Sequence, residues 1–232
     1  MTIKQIFDLG IKLGRQADWS SWSKNGNSYA DSAIHYGRPN QPVKKIMAGI
    51  DIKGEELLLA WAMNDIDLVI AHHAVGKAMA RLAQVMDVQT GILKHYGVPL
   101  RVAKKLINSK KQFNARKLMY LNHDQVVDYA HLINIPLMNL HTPTDNLAAD
   151  FLCQLVKTNK PQTFASLIKV LGQVPEFKKA KSTGAGLVVF SGQRKNKCQK
   201  IFIDCTGGMP GPIEVYQELK KADVDTVVAC RQ

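Results

Sequence analysis

Two histidines, His72 and His73, stand side by side where an apolar run stops. Neutral imidazole is a good ligand for divalent transition metals, so the pair is a candidate metal site. The preceding run, Asp65-Ile-Asp-Leu-Val-Ile-Ala71, has no breaker and reads as a buried strand, and Ala74-Val75-Gly76 opens a loop. In open α/β sheets, ligands gather at the carboxyl ends of strands. Within a strand, adjacent side chains point to opposite faces, so two neighbouring imidazoles could not readily share one ion. Past the strand end, or with one ion each, they can. Consecutive Cα atoms lie about 3.8 Å apart and paired catalytic metals roughly 3.5–4 Å apart, which makes one histidine per ion a sensible geometry. For the dipeptide alone, the competing reading is a half-buried pair bonded to the backbone.

A second constellation, His141-Thr-Pro-Thr-Asp145, again follows an apolar run, Pro136-Leu-Met-Asn-Leu140. An imidazole and a carboxylate would complement the first two histidines as ligands. Asp145 also stands where it could cap a helix predicted over 146–156. His141 is expected to be an outer hydrogen-bond partner of the site. A bound divalent ion lowers the pKa of coordinated water toward 7, so metal-assisted hydrolysis is the chemistry to expect. No nucleophile elbow or recognisable Cys-His pair offers another route. The turn Cys205-Thr-Gly-Gly-Met-Pro-Gly-Pro212 could present backbone N–H groups to an anion or be simply a tight turn; it has no Walker lysine.

The elements that must position these residues alternate. Residues 2 to about 16 read as an amphipathic helix, and the polar stretch Trp19–Tyr29 as a loop whose indoles are packing anchors. Val43–Asp51 reads as a strand, Gly54–Met63 as a helix and Asp65–Ala71 as the next strand. Such a unit usually makes neighbouring parallel strands. The stretch from about 77 to 133 is mostly helical in pattern. Segments 163–171 and 212–222 look helical, while Gly186–Phe190 and Lys200–Asp204 look like strands around a basic hairpin tip, Gln193–Lys197. The class is α/β: strand-helix-strand units in a mixed sheet flanked by helices. The chain is expected to be a single domain over 1–232, divisible into lobes of about 1–145 and 146–232.

The first strand-helix-strand unit has an echo near the end. Ile201-Phe-Ile-Asp204, a helix and Asp223-Val-Asp-Thr-Val-Val-Ala229 repeat its pattern, with Cys230-Arg231 standing where the first unit has His72-His73. A true repeat predicts parallel strand pairs in matching register.

Composition sets the bounds. Hydrophobic content of 46% and charged content of 22% suit a globular protein. No apolar run approaches the roughly 20 residues of a membrane helix, and the amino-terminal residues do not resemble a secretory signal, so a cytoplasmic protein without membrane contact is expected. Cys153, Cys198, Cys205 and Cys230 form no Cys-x-x-Cys pair and suggest neither a zinc ribbon nor a disulfide framework. The net charge of +12, from 31 basic against 19 acidic residues, favours acidic partners. Its densest part runs from Arg101 through Lys104, Lys105, Lys110, Lys111 and Arg116 to Lys117, at helical spacing. A solvated helix face explains these residues, and neither a recognised nucleic-acid motif nor an interleaved aromatic platform accompanies them.

Asp67-Leu-Val-Ile-Ala-His72-His73 followed by His141-Thr-Pro-Thr-Asp145-Asn resembles the NIF-three-like family, also described as GTP cyclohydrolase I type 2 homologues. The likeness continues through Tyr29-Ala-Asp-Ser32, Gly49-Ile-Asp-Ile52 with Glu55-Glu-Leu-Leu-Leu-Ala60, Gly207-Gly-Met-Pro210 and Val224-Asp-Thr-Val-Val228, over nearly the whole chain. It implies an α/β fold, a dinuclear site for zinc, iron or manganese, and a homo-oligomer, a ring-like hexamer. By the family pattern His72 and His73 each serve one ion, with Asp145 on the ion of His73. Family members complete the site with a later histidine and a carboxylate that can bridge both metals. Here no histidine follows His141, and relative to the family the chain is expected to be incomplete at its carboxyl end. Three side chains cannot hold two divalent ions firmly. A weak or single-metal site is therefore expected, unless Cys205, Asp51 or Glu55 substitutes. Two functional readings follow: a metal-dependent hydrolase acting on a nucleotide or other phosphorylated small molecule, or a non-catalytic metal-binding scaffold that contacts nucleic acid through the basic helix face.

Overall fold

The computed structural model describes residues 1–22 and 26–230. Ser23, Lys24 and Asn25 of the polar stretch, and Arg231 of the terminal echo, lie outside the described residues. Helix α1 (Ile3–Gln16) opens on a capping box: the Thr2 hydroxyl accepts the Gln5 N–H and the Gln5 side chain accepts the Thr2 N–H. Then come β1 (Ala33–Tyr36), β2 (Ile46–Gly49), α2 (Gly54–Met63), β3 (Leu68–Ala71), α3 (Gly76–Ala80), a 3-10 turn over Leu82–Met86, α4 (Asp87–His95), α5 (Leu100–Leu118) and α6 (Gln125–Leu132). The remainder is β4 (Leu137–Asn139), α7 (Thr142–Asn159), α8 (Phe164–Leu171), α9 (Pro175–Ser182), β5 (Ile201–Asp204), α10 (Glu214–Lys221) and β6 (Thr226–Ala229).

Four strands form a mixed sheet in the order β1-β4-β3-β2. Strands β2, β3 and β4 run parallel, and β1 returns antiparallel to β4. The central strands β3 and β4 are short apolar runs because both their faces are covered, whereas β2, at the edge, is partly exposed. Leu68 and Val69 of β3 and Leu137 and Met138 of β4 are fully buried, each worth roughly 1.5–3 kcal/mol of burial. One side packs with Leu57 and Ala60 of α2 and Ala130 of α6, the other with Ile3, Ile6 and Phe7 of α1. The pairing of β3 with β4 brings both chemical loops to one sheet edge.

Among the described residues a second sheet pairs β5 with β6, also parallel. It reproduces the first unit in detail. Ile46↔Leu68 through Gly49↔Ala71 matches Ile201↔Thr226 through Asp204↔Ala229. In the first unit the Asp67 carboxylate accepts the N–H groups of Lys44 and Lys45, and the Asp67 N–H donates to the Lys45 carbonyl. In the second, Asp225 bonds Gln199 and Lys200 in the same way, and its N–H donates to the Lys200 carbonyl. Beyond the strands, the His72 N–H donates to Gly49 and the Cys230 N–H to Asp204. The echo is a structural repeat, and Cys230 stands at the position of His72.

Several expectations are corrected. Gly186–Phe190 is not a strand and no hairpin surrounds 193–197: the segment has no regular secondary structure, with Val188 66% and Phe190 96% exposed. Its β-forming residues have no strand to pair with, and apolar composition alone cannot make a strand. Helices α9 and strand β1 are additional to the sequence reading. Cys205 and Cys230 are joined by a disulfide, with Cα atoms 4.9 Å apart. The β5–β6 register places the two residues side by side, a relation that cysteine spacing does not reveal. Trp19 and Trp22 are packing anchors as expected, Trp19 donating to Asp150 and Trp22 lying against Tyr29. Among the described residues, no helix is long and apolar enough to cross a membrane.

Candidate metal centre

His72 and His73 lie just past the end of β3, freed from strand alternation, with ring centroids 5.1 Å apart. His141 leaves β4 as the residue before α7, and its ring centroid is 4.9 Å from that of His72 and 5.7 Å from that of His73. Each imidazole offers one nitrogen within 4.8 Å of the others, an arrangement that could hold a metal ion.

The outer hydrogen bonds decide which nitrogen faces inward. Nδ1 of His72 is 2.9 Å from the Thr144 hydroxyl, whose own proton goes to the carbonyls of Leu140 and His141 at 2.7 and 2.8 Å. Thr144 therefore accepts, His72 carries its proton on Nδ1, and the Nε2 lone pair is left for the site. His73 Nδ1 donates to Asp51 at 2.7 Å, and His141 Nδ1 donates to Asp31 at 2.9 Å. All three rings thus have Nδ1 anchored outside and Nε2 available.

Asp145 lies opposite, one oxygen 3.3 Å from His72 Nε2 and the other 3.9 Å from His141 Nε2. The helix begins at Thr142, earlier than expected, with Pro143 in its first turn. Asp145 is consequently inside that turn and not the cap, and its side chain is turned to the histidines. The family resemblance pairs Asp145 with His73; here it faces His72 and His141. Asp145 raises the pKa of His72 above the ordinary imidazole value, while burial of the ring opposes this. His73 in turn lowers the pKa of Asp51.

Asp31 is fully buried. Besides His141 it accepts the Thr142 N–H at 3.1 Å and the Thr142 hydroxyl at 2.6 Å, all on Oδ2. Its Oδ1 is buried without a partner among the described residues. A buried carboxylate calls for a compensating positive charge, and a cation reached through the His141 ring would supply one. The donor chemistry therefore fits a divalent transition ion: three oriented imidazoles and a carboxylate.

His141, expected as an outer partner, lies in the histidine group that could hold an ion, and Asp51 is hydrogen-bonded to His73. Glu55 is in the first turn of α2 and makes no ion pair with these histidines among the described residues. Cys205 is committed to its disulfide and is not available as a thiolate ligand. The roles of Asp31 and Thr144 are not visible in the sequence, although the two residues lie in the motifs Tyr29-Ala-Asp-Ser32 and His141-Thr-Pro-Thr-Asp145. The glycine turn after β5 is held by the Gln89 amide, which donates to the Gly207 and Met209 carbonyls at 2.9 and 2.6 Å. That contact accounts for its geometry as a packed turn.

No family model matches the sequence, and no curated protein matches it. Among solved structures, the chain is similar to the crystal structure of a NIF3 superfamily protein from Sphaerobacter thermophilus. The TM-score is 0.79 at 25% sequence identity, covering 95% of this chain and 78% of that one. The mixed sheet with its flanking helices is thus a NIF3-like fold, and its strand ends carry a histidine group able to hold a metal ion.

Proposed function

We propose that this chain is a divalent-metal-binding member of the NIF-three-like family, and that its centre supports hydrolysis of a nucleotide or another phosphorylated small molecule. The observation that carries the reading is the convergence of three imidazoles, each with Nδ1 bonded to a partner and each offering one nitrogen within 4.8 Å of the others. His72, His73, His141 and Asp145 would hold zinc, iron or manganese. Bound there, a divalent ion supplies Lewis-acid polarisation of a phosphoryl oxygen and acidifies coordinated water. Thr144, Asp51 and Asp31 fix the rings, and the net positive charge draws anionic substrates toward the protein.

Four donors make one tetrahedral seat, so the reading predicts about one tightly held ion per chain. Metal analysis after gel filtration checks this; two ions retained per chain would show that further donors complete a dinuclear site. His72→Ala and Asp145→Ala should each lower metal affinity by more than about tenfold, the lower bound for losing even an outer partner. Any phosphate-ester turnover should disappear with the metal.

The second reading is a non-catalytic metal-binding scaffold, in which the same histidines and Asp145 hold an ion without turnover. On that reading the metal raises the melting temperature while nucleoside triphosphates and p-nitrophenyl phosphate remain intact.

A further inference from the structure

Helix α5 departs from an ordinary solvated helix. Such faces mix charges and gain from pairs of opposite sign three or four residues apart. The 19 residues of α5 include no acid and seven cations, Arg101, Lys104, Lys105, Lys110, Lys111, Arg116 and Lys117. Among the described residues only Lys111 of these is ion-paired, with Asp87 of α4 at 2.7 Å. Arg101 and Lys105 stand one turn apart with like charge, which weakens an isolated helix.

The exposed side is also geometrically regular. Ala103, Ile107, Asn114 and Leu118 are buried. Opposite them, Arg101, Lys105, Asn108, Gln112 and Arg116 are all exposed and fall in one row at intervals of three or four residues. At 1.5 Å per residue the row from Arg101 to Arg116 is about 22 Å long. Beside it, Phe113 is 42% exposed and carries the Lys110 and Lys117 ammonium groups 5.3 and 4.7 Å from its ring centroid. Tyr120, just beyond the helix, is 82% exposed. Cations, amide side chains and accessible aromatic rings therefore occur together, which the sequence reading did not anticipate.

We propose that this face of α5 binds single-stranded nucleic acid, with phosphates along the Arg101–Lys105–Arg116 row, Asn108 and Gln112 hydrogen-bonding the strand, and the rings of Phe113 and Tyr120 against bases. The combination of a cationic track and aromatic side chains suits a strand whose bases are unstacked. Binding is independent of the metal, because the row lies on a helix that supplies none of the candidate ligands.

The test is fluorescence anisotropy of a labelled oligothymidylate with the full chain, at low and moderate salt. Arg101→Glu/Lys105→Glu/Arg116→Glu should weaken binding at least tenfold. The control, Lys178→Glu/Lys179→Glu/Lys181→Glu on α9, changes net charge equally and should stay within about twofold. Affinity should fall with salt at a slope of about −0.7 per phosphate contacted, and chelator should not change it. Equal loss in both variants, no binding by the wild type at low salt, or binding to phosphatidylserine vesicles without binding to the oligonucleotide would each overturn the proposal. All six substituted residues are exposed, and circular dichroism verifies that both variants are folded.

Discussion

Thr144 gives no atom to the proposed ion, yet it determines which nitrogen His72 presents. Its hydroxyl proton is committed to the backbone carbonyls of Leu140 and His141, so the oxygen can only accept from the ring. Thr144→Val keeps the volume and removes the acceptor, releasing His72 to bind in either tautomer. Metal affinity should fall about 10–100-fold, the range for loss of an outer partner, with thermal stability of the metal-free chain little changed. A chelator-competition titration measures it, and an unchanged affinity would mean that packing alone orients the ring. His72, His73 and Asp145 were legible in the sequence because residue type and position after a strand are local properties. The roles of Thr144 and Asp31 depend on hydrogen-bond direction between residues 72 and 110 positions apart in the chain, which no local pattern encodes.

At the level of elements, the site depends on how closely α1 approaches the start of α7. Gly14 makes that approach: a Cβ there would lie 2.4 Å from the Pro143 Cα and 2.8 Å from its carbonyl oxygen. Both are backbone atoms and cannot swing aside. The Gly14 carbonyl also accepts from Asn146 at 3.2 Å. Gly14→Ala should therefore destabilise the chain by about 1–3 kcal/mol, as overpacking does. Because Pro143 lies between His141 and Asp145, it should lower metal affinity as well. Urea unfolding and metal titration read the two effects separately; destabilisation with normal affinity would show that the loop adjusts independently of α1. Strands β3, β4 and β5 were legible as buried apolar runs, and β2 and β6, which are more exposed, from their places in the strand-helix-strand pattern. Gly186–Phe190 has the same composition, but strand formation also needs a neighbour, which the sequence does not display. Strand β1 was obscured by His35, a polar residue within it, whose ring is bonded to Asn139 of β4.

For the whole molecule, the repeat explains how one chain carries two different chemistries on one geometry. Each unit closes with an aspartate, Asp67 or Asp225, holding the backbone before its first strand. Each then presents side chains beyond the carboxyl ends of two parallel strands. The first unit places imidazoles there, and the second a disulfide. The second unit joins the metal-centre region through α7, where Thr206 donates to Asn146, next to Asp145, and where Ile203 and Cys205 pack with Ala149 and Leu152.

The irregular segment between α9 and β5 has a practical consequence. Phe190 is the most exposed aromatic residue among those described, and it lies in a stretch without strand pairing. Brief chymotrypsin treatment of the native protein should cleave first after Phe190. Both cysteines of the disulfide lie on the carboxyl-terminal side of that cut, while the whole histidine group and Asp145 lie on the other. The two pieces should therefore co-elute in gel filtration, held by the buried contacts of β5 with α7. Separation of the pieces, or earlier cleavage elsewhere, would contradict this. Co-elution would make residues 1–190 and 191–232 suitable for expression as complementing fragments, with assembly of the smaller piece measured against a metal centre carried entirely by the larger.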